Sequence, residues 1–320
     1  MQEFELIKNY FSKLANKSIG SLKLNDDVFF DKTNKLVVSV DTYVEGNHFI
    51  NFKKPDLVIK KVIRASISDL ICKSVKPKYY FLSGSGNSKH FTKNNLAKIS
   101  KSLKEEQKKY KLILGGGDTV YSNKLSFTVT SIGFSNKIIY RNRSKINDDL
   151  YVTGNLGDSF LGLLILKKKI NLNKKLSTYF INQYYKPVIK YSLTDHLNKF
   201  ATSSIDLSDG LISDLEKLTN KQKNSYQLFF DDIPVSKNLK SVIISKDLIK
   251  KNLISKGDDY QILFTANSKH RNLIAKISSL KRLKITRICR IVNSRHKSTI
   301  IDKNGRQIKI NDKGYSHIFN

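Results

Sequence analysis

Apolar residues along the chain alternate between two spacings. Short runs rich in Val, Ile, Phe and Thr, flanked by turn residues, predict strands at LVVSV (36–40), LILG (112–115), FTVTSIGF (127–134), LYVTG (150–154), YQLFF (226–230) and QILFT (261–265). Apolar positions three and four apart predict helices over 57–72, 92–109, 158–169 and 209–219. Phe4, Ile7, Phe11 and Leu14 share that spacing and predict an amphipathic helix at the start of the chain. Strands and helices are mixed throughout, so the expected class is α/β or α+β. The polar stretch RNRSKINDD (141–149) separates two predicted strands and is the expected boundary between a domain of residues 1–143 and one of residues 144–320.

Length and composition narrow the class. With 320 residues, 39% of them hydrophobic, the chain can bury a sizeable core and suits two domains better than one. No run approaches the roughly 18 apolar residues of a membrane span. LGLLIL (161–166) is expected in a core helix, and MQEFELIKNYFSKL lacks the basic start and apolar centre of a signal peptide. Cys72 and Cys289 have no CxxC partner and no histidine at ligand spacing, which excludes a zinc site and a disulfide scaffold. Cys72 falls in a helical apolar pattern and is expected in the core. A cytoplasmic location follows as the expectation.

The net charge of +31 raises the question of nucleic acid. Only nine of the 58 basic residues are Arg, and the lysines run along the whole chain. Clustered Arg with interleaved aromatics is missing. The charge reads as a solvated Lys-rich surface that attracts anionic substrates, with no specific nucleic-acid partner.

Against this basic background the acids near turns and strand ends stand out. They are NDD (25–27), SVD (39–41), SISD (66–69), GGGD (115–118), GNLGD (154–158), IDLSD (205–209) and KGDD (256–259). A lone Asp in such a place is usually a helix cap or an Asx turn. Seven such places allow convergence on one pocket. Mg²⁺ takes oxygen ligands, keeps several waters and is usually held by one or two carboxylates plus substrate phosphates. Separated Asp residues could therefore hold several ions against a polyphosphate. GSGNSK (84–89) lacks P-loop spacing and is expected as a surface loop. An EF-hand fails because Ile205 and Leu207 would occupy ligand positions, and the kinase motifs HRD and DFG are absent.

The ordered series DD (26–27), SVDTYVEGNHF (39–49), SISDL (66–70), GGGDT (115–119), YVTGNLGDSFLGL (151–163), IDLSDGLISDL (205–215) and GDDYQILF (257–264) resembles the thiamine-monophosphate kinase family, within the aminoimidazole ribonucleotide synthetase-like superfamily. The likeness runs from about Asp27 to Tyr315. It implies an N-terminal α/β domain that pairs with a second subunit, a C-terminal α+β domain, and an active site between them. It implies transfer of the γ-phosphoryl group of ATP to thiamine monophosphate. Matched by position, the implied metal ligands are Asp27, Ser39, Val40, Asp41, Asp69, Asp118, Asp206 and Asp209. The implied ATP contacts are Gly117, Asp118, Arg141 and Ser208, and those for thiamine monophosphate are His48, Asp258 and Tyr315. The chain departs from the family at Val40 (usually Thr), Ser66 (usually Asn), Asp258 (usually Glu) and KIND (145–148, usually KPGD).

The implied acceptor is itself a phosphate with a second pKa of about 6, so it is mostly dianionic near pH 7. No general base is then required. Asp206 and Asp209 are expected to hold cations, and Asp214 to face solvent or serve the structure. Related selenophosphate synthetases usually carry a reactive Cys near the N-terminus, whereas the first 71 residues here have none. The hydrogenase-maturation relatives end in a Cys tail, whereas this chain ends SHIFN. A basic nucleic-acid-binding protein is the alternative from another class.

Overall fold

The computed structural model describes residues 3–219, 222, 224–317 and 319. The first part of the chain runs α1 (Glu3–Leu6), β1 (Phe29–Asp31), β2 (Leu36–Val44), α2 (Pro55–Cys72), β3 (Pro77–Gly86), α3 (Lys93–Tyr110), β4 (Ile113–Gly116), β5 (Thr119–Tyr121) and β6 (Ser126–Phe134). The remainder runs β7 (Asp149–Thr153), α4 (Asp158–Leu166), α5 (Lys174–Tyr185), α6 (Thr194–Leu197), β8 (Ala201–Asp206), α7 (Leu211–Thr219) and β9 (Asn224–Phe229), then α8 (Lys237–Ser245), α9 (Lys250–Ile254), β10 (Ile262–Ala266), α10 (Arg271–Leu280), β11 (Ile285–Asn293) and β12 (Thr299–Ile301). One sheet has the order β1-β2-β6-β3-β4, with β5 also on β3. The other has the order β12-β9-β11-β7-β10-β8.

Each predicted strand and each of the four predicted internal helices is present within a few residues of its expected ends. The N-terminal helix is not continuous. It is a single turn, α1, then a π turn at Ile7–Phe11 and a 3₁₀ turn at Leu14–Lys17, and Tyr10, Phe11 and Leu14 are exposed. The side chain of Phe4 lies outside the described residues. GSGNSK is not wholly a loop either. Gly84–Gly86 ends β3 and pairs with β5, where missing side chains let the strands carry on into a polar stretch. Strands β8 and β11 carry no clean alternation and were not legible as strands. No helix among the described residues is long and apolar enough to cross a membrane.

Helix α2 decides how the halves meet. It packs on β2 and β6 of the first sheet and on β8 and α5 of the second half. One apolar core runs through it, joining Ile59, Val62 and Ile63 to Tyr184, Leu193, Tyr260 and Phe264. A helix buried on all sides must pair its polar members, because an unpaired buried charge is very costly. The basic residues on or just after α2 obey this. Lys61 meets Asp258, Arg64 makes a bidentate pair with Glu106, and Lys73 meets Asp26 and Asp27.

The first sheet is covered on the α2 side only. Along β2, Val37, Ser39 and Tyr43 point inward while Val40 is 61% exposed. The open face continues across the register from Val40 to Thr130 and Phe81, and from Val38 to Ile132 and Tyr79.

Candidate active site

Four of the expected acids converge beside α2. Asp41 comes from β2, Asp69 from the last turn of α2, Asp206 from the end of β8, and Asp27 from the turn before β1. The pairing of Asp206 with Ile262 of β10 fixes where β8 stops, so the carboxylate sits at the sheet's end. Ser68, next to Asp69, donates a short hydrogen bond to Asp206. Ser39 Oγ donates to the carbonyl of Ser66 at 3.4 Å.

The electrostatics show how tightly these acids share space. Burial, opposed by hydrogen bonds from Tyr43 and Asp69 and reinforced by the charge of Asp27, pushes Asp41 up to about 7. Burial and then the charge of Asp27 push Asp206 up to about 8. Burial, with Asp41, Asp206 and Asp27 behind it, lifts Asp69 well above the carboxylate range. Asp27 goes the other way. Burial would raise it too, but the cations of Lys73 and Arg141 outweigh that and hold it at about 2. Three carboxylates therefore lie where a further positive charge would relieve them, and the fourth already has its cations. Among the described residues, no group of three or more His, Cys, Asp or Glu side chains is placed to hold a metal ion by itself.

A second group adjoins the acids through Tyr260. Lys61 Nζ lies 2.8 Å from Asp258 and 3.5 Å from the ring centre of Tyr184, whose hydroxyl donates to the carbonyl of His48 at 3.0 Å. The hydroxyl of Tyr260 donates to Asp258 at 3.1 Å. His48 accepts from the Val44 amide at Nδ1 and lies against His317, with ring centres 5.5 Å apart. Tyr315 packs edge-on against the other side of His317. Gly257 presses on Ser208, where a Cβ would stand 1.8 Å from its carbonyl oxygen, and the Asp258 amide donates to that oxygen. The IDLSDG and GDD motifs are thus locked together at the main chain.

Residues 25–135 match the family model of the AIR synthase related protein, N-terminal domain. Over 98% of both lengths the chain is 33% identical to the thiamine-monophosphate kinase of Buchnera aphidicola subsp. Acyrthosiphon pisum (strain APS). The chain belongs to the thiamine-monophosphate kinase family. Among solved structures, AaThiL complexed with AMPPCP and TMP is similar over 99% of this chain and 97% of that one, with a TM-score of 0.85 and 25% identity. The hydrogenase maturation protein HypE in complex with ATP has a TM-score of 0.68 over 96% of this chain and 94% of that one. At 14% identity, that likeness is one of fold alone.

Several positions matched to the thiamine-monophosphate kinase family stand apart from the acid cluster. Val40 points to the opposite face of β2 from Ser39 and Asp41, so its side chain cannot join them and only its carbonyl remains. Gly117 and Asp118 lie on the exposed link between β4 and β5. There a Cβ on Gly117 would meet the carbonyl oxygen of Leu82 at 1.9 Å, and Asp118 accepts from the Thr119 amide. Asp209 is paired with Lys217, and its carbonyl accepts from the Tyr315 amide at 2.9 Å. Arg141 is buried and binds Asp27 at 3.1 Å and the Asn25 carbonyl at 3.2 Å. Asp214 does not face solvent. It is fully buried, accepts from the amides of Asp209 and Gly210, and pairs with Lys217 at 2.8 Å. Asp158 and Asp259 serve the structure: Asp158 takes bonds from Tyr179 and Ser236, and Asp259 accepts from the Gly157 amide. Lys61, Lys73, Tyr184 and Lys217 were missed by sequence reasoning, because a lysine in a Lys-rich chain gives no sign of burial.

Proposed function

We propose that the chain moves the γ-phosphoryl group of ATP onto the phosphate of thiamine monophosphate, giving thiamine diphosphate and ADP. The observation that carries this is the convergence of Asp41, Asp69 and Asp206 at the end of α2, in a chain of this family. The acceptor is already a nucleophile at neutral pH, so no side chain has to remove a proton. The task left to the protein is to bring two anions together in line.

The donor set suits Mg²⁺. The three acids are hard oxygen donors, they repel one another, and an ion that keeps waters and takes phosphate oxygens needs only one or two of them at a time. Asp41, Asp69 and Asp206 would hold it, with Ser39 alongside. Mg²⁺ bound there would offset the charge of both phosphates. Gly117, Asp118 and Ser208 are read as the nucleotide contacts. The thiazolium ring of the substrate is a permanent cation, and the exposed aromatic face of Tyr315 suits it. Asp258 balances the nearby ammonium of Lys61, and His48 sits within the same group.

The one-sided first sheet supports a homodimer in which its open face, with Val40, Phe81 and Ile132, is covered by a second copy. The metal-bearing acids of the first domain, 1–143, would then face the GDD loop of the second, 144–320. The free, buried thiols of Cys72 and Cys289 support a cytoplasmic location.

The test is a steady-state assay with ATP, Mg²⁺ and thiamine monophosphate, separating thiamine diphosphate by chromatography. Product that needs Mg²⁺ and is lost in Asp206→Asn is expected. A folded wild-type protein that binds ATP yet makes no thiamine diphosphate would overturn the reading.

A further inference from the structure

We infer that Lys73 is a built-in cation that takes the place of a metal ion at Asp27, so that Asp27 is a salt-bridge partner and not a metal ligand in this chain. The inference rests on the proposed metal reading and refines it.

Lys73 Nζ donates to the Ser204 carbonyl at 2.8 Å and forms ion pairs with Asp27 Oδ2 at 2.6 Å and Asp26 Oδ1 at 2.7 Å. Its side chain is fully buried. The other oxygen of Asp27 accepts from Arg141 Nη1 at 3.1 Å. Asp26 is engaged in the same way, since its Oδ2 accepts from the Arg141 amide at 2.9 Å and its Oδ1 from the Asp27 amide at 2.9 Å. Two carboxylates thus face two cations, and the group is neutral. A divalent ion at Asp27 would have to displace one of these partners and stand against a buried ammonium. Breaking such a pair leaves a charge uncompensated in the interior.

The neighbouring acids are different. Asp206 takes its bond from the Ser68 hydroxyl, and Asp41 faces Tyr43 and Asp69, so these groups carry no paired cation among the contacts of the described residues. The divalent ions are therefore gathered at Asp41, Asp69 and Asp206, and Lys73 also ties the turn before β1 to β8 through Ser204.

The experiment counts Mn²⁺ bound per chain by electron paramagnetic resonance, with a non-hydrolysable ATP analogue present. It compares wild type, Asp27→Asn, Asp206→Asn and Lys73→Met. The expected result is an unchanged count in Asp27→Asn, loss of at least one ion in Asp206→Asn, and gain of one ion in Lys73→Met. Lys73→Met should also gain more in melting temperature from added Mg²⁺ than wild type does. Loss of an ion in Asp27→Asn overturns the inference while leaving the metal reading intact. No bound Mn²⁺ in wild type overturns both. If Lys73→Met does not fold, the Asp27→Asn count decides alone.

Discussion

Lys61 and Asp258 join the two halves of the chain, 2.8 Å apart, one from a helix of the first half and the other from a loop of the second. The lysine is almost wholly buried and lies 3.5 Å from the centre of the Tyr184 ring. Removing the acid strands the ammonium. Asp258→Ala is expected to cost about 3 kcal/mol in urea unfolding, the lower end for a broken buried pair because Asp258 keeps some solvent. Lys61→Met keeps the volume, strands only the more exposed partner and is expected to cost less. If the pair positions the thiamine phosphate, Lys61→Met should raise KM for that substrate about tenfold with kcat nearly kept. Equal loss of both constants would sink the positioning role.

His48 supplies a pH signature. Burial first, then the charges of His317 and Lys61, hold it below the usual histidine range, with Asp258 pulling weakly the other way. Between its folded value and about 6.5, the unfolded chain binds a proton that the native chain refuses. This contribution is therefore intact above about pH 6.5 and is lost as the pH falls through that window. His48→Asn keeps an acceptor for the Val44 amide and removes the titration. The urea midpoint of wild type should fall more steeply than that of His48→Asn between pH 7.5 and 5. Parallel curves would show that His48 does not titrate in this range.

Gly257 has no room for a methyl group. A Cβ 1.8 Å from the Ser208 carbonyl would force the two motif loops apart. Gly257→Ala is expected to cost about 2 kcal/mol by overpacking. Activity should fall about 100-fold, as a displacement near 1 Å at a reacting site can do. Circular dichroism and turnover of the same sample read both effects. A fully active variant would mean that this contact does not set the spacing of the site.

Val40 tests the second copy. Its side chain is 61% exposed at the centre of the open face and far from the acids on the inner face. Val40→Lys is expected to convert a dimer into monomers in sedimentation equilibrium, with secondary structure kept. A wild type that is monomeric at micromolar concentration would refute the proposed interface.

The sequence alone determined the elements with strong periodicity and the order of the acidic motifs. Those follow from local rules: the period of apolar residues marks strand or helix, and a motif is a run of neighbours in the chain. It also determined that the acids belong to one family's pattern. It did not reveal β1, β3, β5, β8, β11 or β12; in β8 four successive residues are buried, and in β11 a bulge between Arg287 and Cys289 breaks the alternation. It gave no hint that Phe11 and Leu14 of the N-terminal stripe would stay exposed, because spacing says nothing about what is available to cover them. Tertiary structure alone decided which lysines are structural. Lys61, Lys73 and Lys217 look like the other lysines until folding brings acids to them, some from distant segments. Tertiary structure likewise separated Asp27 from Asp41, Asp69 and Asp206, since the charge state of an acid depends on its neighbours in space. The same reason decided between the two expectations for Asp214, which is buried and serves the start of its own helix instead of facing solvent.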